Sequence, residues 1–290
     1  ELSDIGPLVN LPIAGRARLG AELKGRGEDP VLRSNLKIDN FVFGGFPIGN
    51  IDESNVVFRP LYLDITDLKA TKGDSRLLVP NARIDFKDQA SILVDAHVTS
   101  GQLNVPDFLA MWNLSEDPRY QMIGGAAKVD AHVSYELGGP RDPCGTGRLK
   151  VAGRGDFLKV QLLGENYDGG SAQFTLDWLD RDAAFQGFTL DIPSISLDKG
   201  AGRIMGSYSV ALGAGVEGHL VASDVPLSRL QMLEPWASTA EGRASGSIVL
   251  GGSLDAVTAD AHLEVTPVRL GLSQLPASTL DVKVIPNAPD

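Results

Sequence analysis

The chain carries four histidines, one cysteine and 37 carboxylates, the side chains with the widest chemical reach. A zinc site needs three or four thiolate, imidazole or carboxylate ligands at short, recurring spacings. His97, His132, His219 and His262 lie at no such spacing from one another or from Cys144. His97, His132 and His262 occupy the polar phase of alternating runs, which assigns them to a solvated surface. No Gly-x-Ser-x-Gly pentapeptide is present for serine nucleophile chemistry, and Ser245 and Ser253 fall in turn sequences. Gly200 to Gly206 is glycine-rich but lacks phosphate-loop spacing and a strand-to-helix context, so it reads as a turn. Glycoside hydrolysis requires two carboxyl groups within about 10 Å of each other. Asp177, Asp180, Asp182 and Asp191 are the candidates, yet the polar face of any β-sheet groups carboxylates in the same way. Asn113-Leu114-Ser115 matches the N-glycosylation triplet, a pattern common by chance. Cys144, between Pro143 and Gly145, reads as an incidental thiol in a turn. These residues point to no catalytic site, no metal and no cofactor, and the expectation is a protein that is not an enzyme.

The elements that would position a site are strands. Period-two alternation, one side chain in and the next out, dominates the chain. Ala127, Val129, Ala131, Val133, Tyr135 and Leu137 share one face, and Lys128, Asp130, His132, Ser134 and Glu136 share the other. Similar apolar phases run through Ala17-Leu19-Ala21-Leu23, Leu61-Leu63-Ile65 and Ala82-Ile84-Phe86. They return at Phe174-Leu176-Trp178, Tyr208-Val210-Leu212, Ile248-Leu250 and Ala259-Ala261-Leu263-Val265. Gly, Pro, Asn and Asp between the runs supply turn geometry. Helical signals are short: Pro106 to Trp112, and Pro226 to Leu233 with Leu at i, i+3 and i+6.

Composition narrows the classes. A net charge of −11 argues against a nucleic-acid partner, which draws on clustered Lys and Arg, and against broad docking on anionic headgroups. One cysteine allows no intrachain disulfide. No apolar stretch approaches the roughly 20 residues that span a bilayer. Aromatics at 6% form no paired girdles, against a membrane β-barrel. The chain opens on Glu1 and stops just after the alternating run Leu280 to Val284, so both ends read as trimmed from something longer.

An internal repeat organises the runs. Gly25…Asp29-Pro30, Gly138…Asp142-Pro143 and Gly251…Asp255-Ala256 each follow an alternating strand, with 113 residues from Asp29 to Asp142 and from Asp142 to Asp255. A strand follows each: Leu36-Lys37-Ile38, Leu149-Lys150-Val151 and Leu263-Glu264-Val265. Asp4-Ile5-Gly6-Pro7-Leu8, Asn104-Val105-Pro106 and Asp224-Val225-Pro226-Leu227 lead into the units. The units are approximately 1–103, 104–222 and 223–290, the last incomplete.

A Val-Pro-Leu-like helix start, a Gly-led strand, Gly-Gly-x-Leu-Asp and a second alternating strand together resemble the TamB/AsmA-like proteins. The pattern is clearest from Asp224 through Val265, including Gly242 to Asp255, with a second version from Gly15 to Ile38. Residues 40–90 and 153–200 keep the alternation but not the turn motif. The resemblance implies an all-β fold: an elongated sheet curled into a U-shaped β-taco groove, apolar on its concave face, with one to three short helices. It also implies a segment of a periplasmic protein, anchored in the inner membrane of diderm bacteria, that moves or holds phospholipid acyl chains between the two membranes. An outer-membrane β-barrel is a further partner it allows.

On that reading the groove lining is Leu19, Leu23, Leu61, Leu63, Ile65, Ile84, Phe86, Val129, Val133, Tyr135, Leu137, Phe174, Leu176, Trp178, Tyr208, Val210, Leu212, Ile248, Leu250, Leu263 and Val265. Plain core packing is the competing reading for each. The alternative function is a non-enzymatic assembly scaffold whose sheet edges recruit outer-membrane β-proteins by strand addition. A parallel β-helix fits poorly, because its coils repeat every 20 to 29 residues or so. A conduit requires an apolar phase free of charge and of bulky obstruction, whereas a packed scaffold requires interdigitated rings. Phe174, Trp178, Phe185 and Phe188 discriminate: pointing inward at one level, they would form a constriction.

Overall fold

In a computed structural model the described residues are 1–9, 12–26, 29–88, 91–116, 123–138, 147–162, 164–179, 187–211, 213–231, 240–253, 256–270 and 273–285. They form one 16-stranded antiparallel sheet and a small three-stranded one. The first strands are β1 (Ile13–Arg26), β2 (Asp29–Phe43), β3 (Phe46–Arg59), β4 (Tyr62–Lys72), β5 (Ser75–Asp85) and β6 (Ser91–Asn104). After them come β7 (Gly124–Gly138), β8 (Arg148–Leu162), β9 (Glu165–Tyr167), β10 (Gly169–Leu179), β11 (Phe188–Lys199), β12 (Gly202–Ala211) and β13 (Gly215–Pro226). The main sheet ends with β15 (Arg243–Ser253), β16 (Ala256–Val265) and β19 (Ser278–Val284). The small sheet is β14 (Ala240–Glu241), β17 (Val268–Leu270) and β18 (Ser273–Leu275). Strands pair with their neighbours in chain order, short β9 hanging on β8, and β1 and β19 are each paired on one side only.

This is the curled, U-shaped sheet with an apolar concave face that the resemblance implies, built from the strands that the alternation predicts. It exposes 17129 Å², against about 12,000 Å² for a compact protein of its mass. The excess belongs to an elongated, open form. Long strands curl because bulges bend them. Register slips between Asn35 and Ile38 in β2, Leu78 and Asn81 in β5, Ile192 and Ile195 in β11, and Ala222 and Val225 in β13. Pro80 and Pro193 sit inside two of these slips, where a missing N–H costs no ladder bond. Asp224, at φ 51°, occupies a third, in a conformation its short polar side chain tolerates.

Two α-helices belong to the described residues. The expected helix after Asn104 is present as α2 (Val105–Met111), with Pro106 in its first turn. α1 (Leu2–Val9) was not anticipated, since Gly6 and Pro7 lower its propensity. Leu2 packs against Ile38 and Ile51, so tertiary burial outweighs propensity there. Of the helix expected from Pro226 to Leu233, the described residues show a 3-10 turn over Leu227–Arg229 and no α-helix, and Met232 and Leu233 lie outside the described residues. Gln231 is tied to the sheet: its N–H donates to Glu165 and its side-chain carbonyl accepts from Asn166 N–H. The marker glycines Gly25, Gly138 and Gly251 fall at or near the ends of β1, β7 and β15, each paired with the next strand in a hairpin, while Asp142 and Asp255 lie outside the described residues.

Candidate functional site

Directly paired residues of an antiparallel sheet point to the same face, so the pairings define rows of side chains running across the strands. One row on the concave face is Leu23, Leu32, Phe58, Leu63, Ile84, Val94, Tyr135, Leu149, Trp178 and Phe188, from β1 to β11. Two residues along, Val56, Ile65, Ala82, Ala96, Val133, Val151, Leu176, Leu190, Val210 and Val216 continue from β3 to β13. Towards the other strand ends a third row runs from β6 to β19: Leu103, Ala127, Phe157, Gly170, Leu197, Ile204, Ala222, Gly246, Leu263 and Leu280. None of the three contains an ionisable carboxylate, amine, guanidinium or imidazole. One residue off the first row the convex face reads Asp64, Arg83, Asp95, Ser134, Lys150 and Asp177. The charge-free phase demanded of a conduit is met along these three rows; two residues beyond Leu197 on the same face, Lys199 interrupts it with a buried charge.

Obstruction is a different matter. Phe46 lies 5.2 Å from Trp178 and 4.9 Å from Trp112, centroid to centroid, and Trp112 lies 6.3 Å from Trp178. Phe43 meets Tyr135 at 6.0 Å. β3 and β10 are six places apart in the sheet, so the curl has brought the tip of the β2–β3 hairpin over the concave face of β7–β10. Gly44 is required at that tip: its φ is 59°, and a Cβ there would stand 3.1 Å from the Tyr135 ring. Ile84, Ile92, Tyr135, Leu137, Leu149, Leu176 and Trp178 form the buried cluster beneath.

The predicted lining residues therefore divide. Ile84, Tyr135, Leu137, Leu176 and Trp178 are buried in that cluster, with Leu63, Phe86 and Val133 packed on it. Ile65, Val129, Phe174, Tyr208, Val210, Ile248, Leu250, Leu263 and Val265 are half-buried. Leu19 and Leu23, opposite Leu36 and Leu32, are 59% and 70% exposed, because β1 has no covering element there. Leu61 and Phe86 fall outside strands, joined by a Phe86 N–H to Leu61 carbonyl bond of 3.0 Å, and Leu61 is exposed. Leu212 lies outside the described residues, as do Phe185, Asp180, Asp182 and Cys144. Trp178 and Phe188 pair at one level, but Phe174 sits four residues further along β10. The constriction comes instead from Phe43, Phe46 and Trp112, which sequence reading left out. Their meeting depends on the curl, which no local pattern encodes.

The polar groups have structural partners. The convex-face imidazoles meet carboxylates: His97 with Asp130 at 2.7 Å, His132 with Asp95 at 2.9 Å and His262 with Asp281 at 2.5 Å. Asp177, a carboxylate candidate, accepts two bonds from Arg148 at 3.0 and 2.6 Å, and that guanidinium holds its carboxyl below the usual range. Asn113 of the sequon donates to Gly45 carbonyl at 3.3 Å. Lys199 is 2% exposed, yet its Nζ donates to Glu165 at 2.5 Å and Asn166 carbonyl at 2.7 Å and faces the Tyr167 ring. Burial, and then Glu165, push the Tyr167 hydroxyl pKa up. No three His, Cys, Asp or Glu side chains converge on a metal position among the described residues. No helix among them is long and apolar enough to cross a membrane.

Comparison with known proteins adds no relative: no protein-family model, no curated protein and no solved structure matches the chain.

Proposed function

We propose that this chain is a non-enzymatic stretch of a TamB/AsmA-like trough that holds phospholipid acyl chains in the periplasm, on a path between inner and outer membranes. The observation that carries the reading is the charge-free apolar face of β12–β19, which no helix covers among the described residues. An uncovered apolar sheet face demands an apolar partner. Acyl chains suit a wall of Leu, Ile, Val, Ala and Gly, gaining about 0.8 kcal/mol per buried CH₂, with headgroups left in water.

The test is native mass spectrometry with lipid extraction on the purified chain beside a Leu220→Asp/Ile248→Asp variant, two paired residues of the uncovered wall. Phospholipid that co-purifies with the wild type and is lost from the folded variant supports the reading. Lipid-free wild type that also takes up no fluorescent acyl probe refutes it. The free backbone edges of β1 and β19 favour one second reading, a scaffold that recruits outer-membrane β-proteins by strand addition.

A further inference from the structure

We infer that α2 and the tip of the β2–β3 hairpin form a fixed stop across the trough, so that acyl chains are held only on the section from β11 to β19. The inference rests on the acyl-binding reading and adds where along the trough the chains end.

Three observations place the stop. α2 leaves the end of β6, buries Leu109 and Met111, and delivers Trp112 to ring contacts with Phe46 on β3 and Trp178 on β10. Those contacts join strands six places apart, so the rings bridge the interior rather than decorate one wall. A polar tether fixes the helix from the other side. Asp107 Oδ2 accepts from Ser75 Oγ at 2.7 Å, Ser75 N–H at 3.0 Å and Asp74 N–H at 3.1 Å. Ser75 is fully buried and its Oγ accepts in turn from Asn104 N–H at 2.8 Å. Gly73 beside it has φ 54°, and a Cβ there would overlap the Asp107 carboxylate. All three bonds converge on one charged acceptor, which makes each stronger than a neutral bond, so the tether resists displacement by a methylene chain.

Beyond the stop the wall is low and long enough. Neighbouring strands approach so closely at Gly206 and Gly246 that a Cβ would strike the next strand's backbone, and both positions leave the floor shallow. The six strands β11, β12, β13, β15, β16 and β19 span about 24 Å at ~4.8 Å per step. An acyl chain occupies about 15 Å, half of a ~30 Å hydrocarbon core. One tail fits without passing α2.

The test irradiates the full chain with vesicles of phosphatidylethanolamine and phosphatidylglycerol doped with a tail-diazirine phosphatidylethanolamine, and maps adducts by peptide mass spectrometry. Adducts at Ile248, Leu250 and Leu263 are expected to exceed those at Val133 and Tyr135 by about tenfold, a difference of ~1.4 kcal/mol. Phe46→Ala with Trp112→Ala is expected to let adducts reach Val133 and Tyr135. The wild-type map is decisive even where that variant does not fold. Equal labelling of both sets in the wild type overturns the stop and leaves the acyl reading standing; adducts nowhere overturn both.

Discussion

Between β3 and β10 the concave face is a core. Large side chains line it, α2 and a hairpin tip lie over it, and Trp178 is 9% exposed. From β12 to β19 the same alternation produces a wall that no helix covers among the described residues, ending in Leu280 at 48% exposure. Both halves obey one binary pattern, and the charge that does enter the apolar phase, Lys199 on β11, is paired with Glu165. The difference comes from what the curl and the inter-repeat segments bring over the sheet. In the first half an α-helix of seven residues crosses the interior; in the second the described part of the corresponding segment is a 3-10 turn followed by Gln231, which is bonded to Glu165 and Asn166. Apolar alternation therefore states that a face will be dry, and not whether protein or ligand makes it so.

Substitutions that empty the core should break this contrast most strongly. Trp178→Ala is expected to cost about 3–5 kcal/mol in urea unfolding, since it removes a large buried ring with partners on three elements. Lys199→Met should cost a similar ~3 kcal/mol, because Glu165 is left largely buried without its cation. Restoring much of the loss with Glu165→Gln added to Lys199→Met would identify the pair as the cause. Asp107→Ala is expected to lose about 2 kcal/mol and to speed amide exchange over residues 105–113 before the rest of the sheet. On the open wall Ile248→Val should cost only about 0.5 kcal/mol, since that side chain is half-buried and its site already meets solvent.

The smallest effect concerns the last strand. The Asp281 carboxylate beside His262 raises its pKa, first by hydrogen bonding and then by charge. A folded-state pKa above the unfolded one means that the pair contributes fully below the unfolded value of about 6.5 and is lost as pH rises through the folded value. Exchange over residues 278–284, corrected for the intrinsic rate, should be slower near pH ~5.5 than near ~8. His262→Gln should erase that difference.

Much of the fold was legible because alternation is local: Ala127 to Leu137 declares its face residue by residue, and β7 keeps it. The marker glycines sit at or near hairpin ends for the same reason, since Gly acts on its own backbone. What escaped depends on distant parts. α1 forms around Gly6 and Pro7 because Leu2 finds Ile38 and Ile51 across β2 and β3. Leu61 carries the right phase but lies one residue before β4, where a turn replaces the pleat. Phe43, Phe46 and Trp112 belong to three different local patterns and meet only after the sheet has curled.

The most direct test pairs one charge substitution in each half, Val151→Asp under the ring cluster and Ile248→Asp on the open wall, with urea stability and fluorescent acyl-probe uptake measured on both. Val151→Asp is expected to lose the fold, while Ile248→Asp keeps it within about 1 kcal/mol and loses the probe. An Ile248→Asp chain that unfolds, beside a wild type that takes up no probe, would contradict the claim that the second half is an open acyl-binding wall.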